Sequence, residues 1–194
     1  MKITYPVARI LGTIAESKAS DLSVPVAIAL TDGKGGLLFF GRMDGTLPAS
    51  TEIAISKAYT SAVLHMATHE LGKLAQPGGE LYGIQHTHNG KIVLFGGGIP
   101  LQLNGQVVGA IGISGGSVNE DVQVAEYVVN ALEEMESWAK RIKVFLPSQP
   151  LENIWISQLE NRLKEAFEQM NCALSTDAPS FLAGAILLVD SVRQ

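Results

Sequence analysis

Residues 81–116, LYGIQHTHNGKIVLFGGGIPLQLNGQVVGAIGISGG, decide the fold that this sequence predicts. Two Asn-Gly pairs, Asn89-Gly90 and Asn104-Gly105, each lie between runs of residues that are typical of β-strands. Asn-Gly tolerates positive φ at both central positions of a type I′ turn, so each pair predicts a β-hairpin. Two successive hairpins predict an antiparallel meander. The glycine cluster at residues 96–98 indicates a bulge, or a close approach of the backbone, in its middle strand.

The first of these turns also predicts where two histidines lie. With a two-residue turn at Asn89-Gly90, His86 and His88 share one strand face with the apolar residues Ile84 and Val93. The imidazoles would then stand at the end of an apolar wall. They could belong to a binding site there, or they could be solvated residues beside a turn.

The rest of the chain adds two strands and several helices to this meander. Apolar runs at Val26–Leu30 and Leu37–Arg42 flank a glycine-rich turn and predict another hairpin. Helical periodicity and capping residues predict four helices, over residues 4–19, from Ser50 or Thr51, over His69–Leu74 with Thr68 as N-cap, and from Ser117 onward. This order predicts an α+β domain with one five-stranded antiparallel sheet flanked by helices on both sides.

Composition excludes several classes of partner. The chain has 194 residues, a formal net charge of −5 and no basic run, which argues against nucleic acid or an anionic membrane surface. No stretch reaches the ~18 apolar residues of a spanning helix. A single cysteine, Cys172, and the lack of a secretory signal predict a cytoplasmic protein. The high apolar fraction and the small-residue ridge Ala54, Ala58 and Ala62 predict a homo-oligomer.

The C-terminal part differs in character from the rest. We expect one domain over residues 1–145 and a linker with a helical C-terminal extension over residues 146–194. A proline-bounded linker precedes an amphipathic segment that contains Trp155 and Phe167, and Phe181–Val189 is a second apolar run. The extension could dock on its own domain or on a neighbouring subunit, which the second apolar run favours. Alternatively, residues 151–189 could bind a microcompartment or an enzyme partner.

Histidine spacing and glycine clusters are the candidate chemical motifs. His65-x-x-x-His69 would share a helical face, a spacing that suits a metal or a heme iron, unless the helix breaks at Thr68. No set of carboxylates or cysteines completes a zinc site. The run Gly112–Gly116 fits a nucleophile elbow only superficially, because it ends an antiparallel strand. Backbone N–H groups of residues 96–98 could face an anion such as a propionate.

Several motifs recur in the order found in a known family. They are Val26–Leu30, Asp32-Gly33, Arg42-Met43-Asp44-Gly45, Ser50, Ile53-Ala54, Lys57-Ala58, Thr68-x-Glu70-Leu71, Gly96-Gly97-Gly98-Ile99-Pro100 and Val108-Gly109-x-Ile111-Gly112-x-Ser114-Gly115. With these motifs the chain resembles the GlcG-like family, also called the heme-degrading domain family, over roughly residues 3–138. This family includes the heme-binding C-terminal domain of PduO-type corrinoid adenosyltransferases.

The resemblance implies a profilin-like fold, assembly into oligomers, and heme as the cofactor, with a corrinoid as the alternative. Thr68 occupies the position of the threonine that lies near the iron in heme-binding members. An imidazole is a better iron ligand than a neutral hydroxyl, so His69 is the chemically better candidate. The expected cofactor-binding residues are Thr68, His69, His65, His86, Gly97 and Gly98, with His69 and His86 as metal ligands.

Three functions are compatible with these observations. The favoured hypothesis is an oligomeric cytosolic module that binds heme or a related tetrapyrrole and serves a metabolic operon or microcompartment. The second is a heme- or iron-dependent oxidative enzyme that degrades heme. The third is a structural scaffold without a ligand.

Overall fold

The computed structural model describes residues 2–142. The chain divides into two units, Met1–Glu133 and Glu134–Gln194, and the features described below belong to the first. Its elements are α1 (Tyr5–Asp21), β1 (Ala27–Asp32), β2 (Leu37–Arg42), α2 (Ser50–Leu64), α3 (Thr68–Leu74), β3 (Gly98–Leu103), β4 (Gln106–Ser114) and the start of α4 (Val118–Ile142). The boundary predicted at residues 145/146 stays a prediction, and the predicted C-terminal extension lies outside the described residues.

The sheet confirms the α+β class and corrects the strand count. Residues 2–142 contain one sheet of four strands, in the order β2-β1-β4-β3, and every neighbouring pair is antiparallel. The hairpin predicted at Asn104-Gly105 is present, with φ values of 49° and 73° at the turn and Leu103 paired with Gln106. The prediction of five strands was wrong for this part of the chain.

The missing strand is the one predicted around Asn89-Gly90. Residues 84–86 and 88–90 form 3₁₀ turns, and His88, Asn89 and Gly90 all have positive φ. Beyond the turn, the backbone N–H of Val93 donates to Thr60 Oγ1 at 3.0 Å. The side chain of Thr60 in α2 therefore accepts a hydrogen bond from a backbone N–H that would otherwise be free to pair with a neighbouring strand. The predicted strand face that carries His86 and His88 does not exist.

Helices cover both faces of the sheet, as predicted. Phe39 of β2 packs on α1, where a Cβ on Gly12 would collide with its ring. Phe40, the next residue, packs instead against a buried cluster that includes Ala54 and Ala58 of α2. Because successive strand residues point to opposite faces, α1 and α2 lie on opposite sides of the sheet.

The alanine ridge of α2 has a different role from the predicted one. Ala54, Ala58 and Ala62 are fully buried. A Cβ on Gly112 of β4 would collide with the carbonyl oxygen of Ala54, so small residues on both elements allow the helix to approach the sheet closely. The ridge stabilises the domain interior. It is not available as a subunit contact.

The start of α4 is fixed by a capping box. Glu120 Oε2 accepts hydrogen bonds from the N–H and the hydroxyl of Ser117, both at 2.7 Å, and Ser117 Oγ accepts the N–H of Glu120 at 3.3 Å. These bonds lower the pKa of Glu120. The cap predicted at Ser117 is confirmed. Among the described residues, no helix combines the length and apolar character needed to cross a membrane.

Candidate functional site

A buried ion pair connects α2 to the start of α4. Lys57 Nζ lies 2.7 Å from Asp121 Oδ2 and donates to the carbonyl oxygen of Ile113, also at 2.7 Å. Asp121 Oδ1 accepts the backbone N–H of Gly116 at 3.1 Å. Sequence reasoning missed this pair, although Lys57 shares the buried face of α2 with Ala54 and Ser61 and was therefore a visible signal.

The electrostatics of this ion pair are dominated by its burial. Desolvation lowers the pKa of Lys57 and raises the pKa of Asp121, and the pairing between the two side chains opposes both shifts. The Lys57 ammonium also lies 4.9 Å from the centre of the Phe95 ring. Every polar atom of the pair has a partner inside the protein, and Lys57 is fully buried. The pair connects α2, the end of β4 and the start of α4 inside the domain.

The glycine cluster at residues 96–98 is packed against this ion pair and against α3. A Cβ on Gly97, which has φ of 109°, would lie 2.8 Å from Lys57 Nζ. The N–H of Gly98 donates to Thr68 Oγ1 at 3.0 Å, and that hydroxyl lies 3.4 Å from the Gly98 carbonyl oxygen. Thr68 is fully buried, so its hydroxyl ties the first residue of α3 to the first residue of β3.

A pocket of about 490 Å³ lies between α3, the edge strand β3 and α4. It brings His65 and His69 together, although α2 ends at Leu64 and His65 has a left-handed backbone, with φ of 54°. The predicted helical spacing is therefore interrupted, yet both histidines line one pocket. The lining residues are His65, Met66, Ala67, His69, Glu70, Ile99, Pro100, Gln102, Glu126, Val129, Asn130, Leu132 and Glu133.

Within this pocket, His69 has an unusual feature. Its Nδ1 atom is buried and has no hydrogen-bond partner among the described residues. Three other buried side-chain atoms share this property, on Thr31, Ser61 and Gln85, but none of those residues lines the pocket. An unpaired polar atom costs free energy when it is buried, so a partner for Nδ1, such as a water molecule, would stabilise this residue.

The remaining predicted site residues lie elsewhere. His86 and His88 are exposed, neither lines the pocket, and His88 Nδ1 lies 3.0 Å from the hydroxyl of Tyr59. Gly97 and Gly98 are also absent from the lining. Over residues 2–142, no group of three or more histidine, cysteine, aspartate or glutamate side chains could hold a metal ion by itself. The pocket residues therefore do not form a conventional protein metal site.

The pocket can be tested against the group that the resemblance implies. Its volume of about 490 Å³ falls inside the ~300–1,000 Å³ typical of cofactor sites. Apolar walls from Met66, Ile99 and Val129 suit a flat apolar ring, and imidazole is a common axial ligand of heme iron. The size, the walls and the donor set therefore fit a heme-type tetrapyrrole.

The chain is similar in sequence to known bacterial proteins. An uncharacterised 15.0 kDa protein from the dhaT-dhaS intergenic region of Citrobacter freundii is 41% identical over 133 residues, which are 69% of this chain and 94% of that protein. The corrinoid adenosyltransferase PduO of the same organism is 39% identical over 132 residues; the match covers 68% of this chain but only 39% of that protein.

A solved structure and a family model also match this chain. A crystal structure described as the PduOC:heme complex matches with a TM-score of 0.65 and 37% identity, over 67% of this chain and 94% of that one. Residues 3–130 match the family described as haem degrading protein HbpS-like. This match spans more than half of the 194 residues, and the chain belongs to the HbpS-like family.

Proposed function

We propose that this protein binds a heme-type tetrapyrrole in the pocket between α3, β3 and α4, with His69 as the residue that ligates iron. The observation that carries the proposal is that two histidines, His65 and His69, line one pocket of about 490 Å³. Support also comes from the family and from the relative whose structure is described as a heme complex. Bound heme would supply an iron centre for ligand binding or oxygen chemistry.

His69 is a better candidate than Thr68 for a physical reason. The hydroxyl of Thr68 is fully buried and already accepts the N–H of Gly98, so ligating iron would cost that hydrogen bond. His69 is partly exposed and lines the pocket. His65, also in the lining, is the alternative ligand. His86, Gly97 and Gly98 do not line the pocket, and we do not include them in the proposed site.

The test is a hemin titration followed by Soret absorbance. We expect His69→Ala to weaken hemin binding about tenfold or more, because loss of an axial ligand costs well over ~1.4 kcal/mol. His86→Ala is the matched control, since His86 is an exposed histidine outside the pocket, and it should bind hemin like the wild type. Unchanged binding by both His65→Ala and His69→Ala would place the ligand elsewhere. A wild-type protein that does not bind hemin would refute the proposal.

A heme-degrading enzyme is the second candidate, and the description of the matched family favours it. Loaded protein supplied with a reductant and oxygen should then convert heme to an open-chain product, with loss of the Soret band. If heme stays intact under those conditions, the enzyme hypothesis is wrong and the heme-binding module is the remaining one. A corrinoid remains the alternative ligand, and a structural scaffold the alternative if no tetrapyrrole binds.

We also propose that the protein is a cytoplasmic homo-oligomer. The apolar fraction of 46% supports self-association, whereas the buried alanine ridge does not. The predicted extension, residues 146–194, would dock on a neighbouring subunit or on its own domain, in preference to serving a microcompartment or enzyme partner. Light scattering and thermal unfolding of the full chain and of a chain that ends at Lys143 test both points. A full chain of 20.6 kDa in solution would refute oligomerisation, and an unchanged oligomer and Tm after truncation would refute the docked extension.

A further inference from the structure

The charged residues of the pocket affect its affinity for tetrapyrroles of different charge. Glu70, Glu126 and Glu133 line it, and the lining contains no lysine or arginine. Each of these carboxylates is exposed, and none forms an ion pair or hydrogen bond with another residue of the described chain. The pocket therefore has both polar and apolar walls, and its carboxylates face no lysine or arginine in the lining.

From this charge pattern, and resting on the proposed function, we infer that the pocket selects against carboxylates on its ligand. It binds a tetrapyrrole whose peripheral groups are uncharged, as amides or esters, more tightly than the same ring with free carboxylates. Glu70, Glu126 and Glu133 are then specificity-determining residues, while the apolar walls and His69 bind either form.

The physical basis is like-charge repulsion without local compensation. A ligand carboxylate that approaches Glu126 or Glu133 meets no cation in the lining to offset the repulsion. The ammonium of Lys57 cannot do so, because it is fully buried and occupied by Asp121. Because the three glutamates are exposed, the repulsion is partly screened by water and salt, and each should contribute a modest factor.

The experiment compares hemin with its dimethyl ester, which has the same ring and iron but no free carboxylate. Both are titrated in one cosolvent against the wild type and the single variants Glu70→Gln, Glu126→Gln and Glu133→Gln. Glu80→Gln is the matched control, because Glu80 is an exposed glutamate outside the pocket and its replacement changes the net charge equally.

At low salt, we expect at least one pocket variant to bind hemin roughly two- to fivefold more tightly than Glu80→Gln does. Affinity for the diester should not change. Raising the ionic strength to ~1 M, where the Debye length is ~3 Å, should remove most of the gain.

The possible failures are distinguishable. If the wild type binds hemin but no pocket variant differs from Glu80→Gln, the inference is wrong and the proposed function stands. A gain of the same size for the diester would also overturn the inference, because the effect would not then depend on ligand charge. If neither ligand binds the wild type, the proposed function fails and the inference fails with it.

Discussion

Two polar regions lie close together in this domain and differ in how their polar atoms are satisfied. Lys57 and Asp121 are buried, and each is bonded both to the other and to backbone groups at the end of β4 or just beyond it. Among the pocket residues, three glutamates are exposed and form no ion pair with other described residues. The difference teaches that buried charges need partners within the protein, whereas charges at an open pocket remain free to interact with a ligand.

The largest expected effect tests the structural half of this contrast. Lys57→Met should destabilise the domain by about 3–5 kcal/mol, because it leaves the carboxylate of Asp121 buried without its cation. The free energy of unfolding from urea titrations measures it. Lys73→Met, at an exposed lysine of α3, is the control and should change little.

The double variant Lys57→Met with Asp121→Leu sharpens this prediction. We expect it to be more stable than Lys57→Met alone, since removing both charges also removes the unpaired one. Additive losses from the two substitutions would contradict the role assigned to the pair.

An intermediate effect separates Thr68 from its neighbour His69. Thr68→Val keeps the side-chain shape but leaves the buried N–H of Gly98 without its acceptor, at a cost of about 1–3 kcal/mol. Thr13→Val, at an exposed threonine of α1, should cost much less. Hemin affinity of folded Thr68→Val should match the wild type. A loss of affinity as large as that of His69→Ala would show that Thr68 contributes directly to binding.

The smallest expected effect is on the acid stability of the protein and involves Glu120, an exposed carboxylate that is hydrogen-bonded to Ser117. The pKa of Glu120 is lowered from its ordinary value of 4.5 by bonds from Ser117. A lowered folded-state pKa contributes stability that is present above the unfolded pKa and is lost as the pH falls through the folded pKa. Glu120→Gln should therefore flatten the stability curve slightly below about pH 4.5. An identical acid profile for wild type and variant would show that the cap makes no electrostatic contribution.

Local sequence signals succeeded where short-range chemistry decides the outcome. The Asn104-Gly105 turn, the cap at Ser117 and the strands at residues 27–32 and 37–42 depend mostly on neighbours along the chain. The same dipeptide failed at Asn89-Gly90, where the backbone N–H of Val93 donates to Thr60 of α2 and no second hairpin forms. A hydrogen bond between residues 33 positions apart leaves no trace in a local pattern.

The sequence by itself determined the α+β class, the antiparallel pairing, the helices on both faces and the family to which the chain belongs. These follow from hydrophobic periodicity, turn residues and motif order, which are properties of contiguous residues. Only the tertiary structure decided that Lys57 meets Asp121, that Thr68 is bonded to Gly98, and that His65 and His69 share a pocket although they do not belong to one helix. Each of these depends on how distant segments pack, because burial and partners arise only when the elements come together.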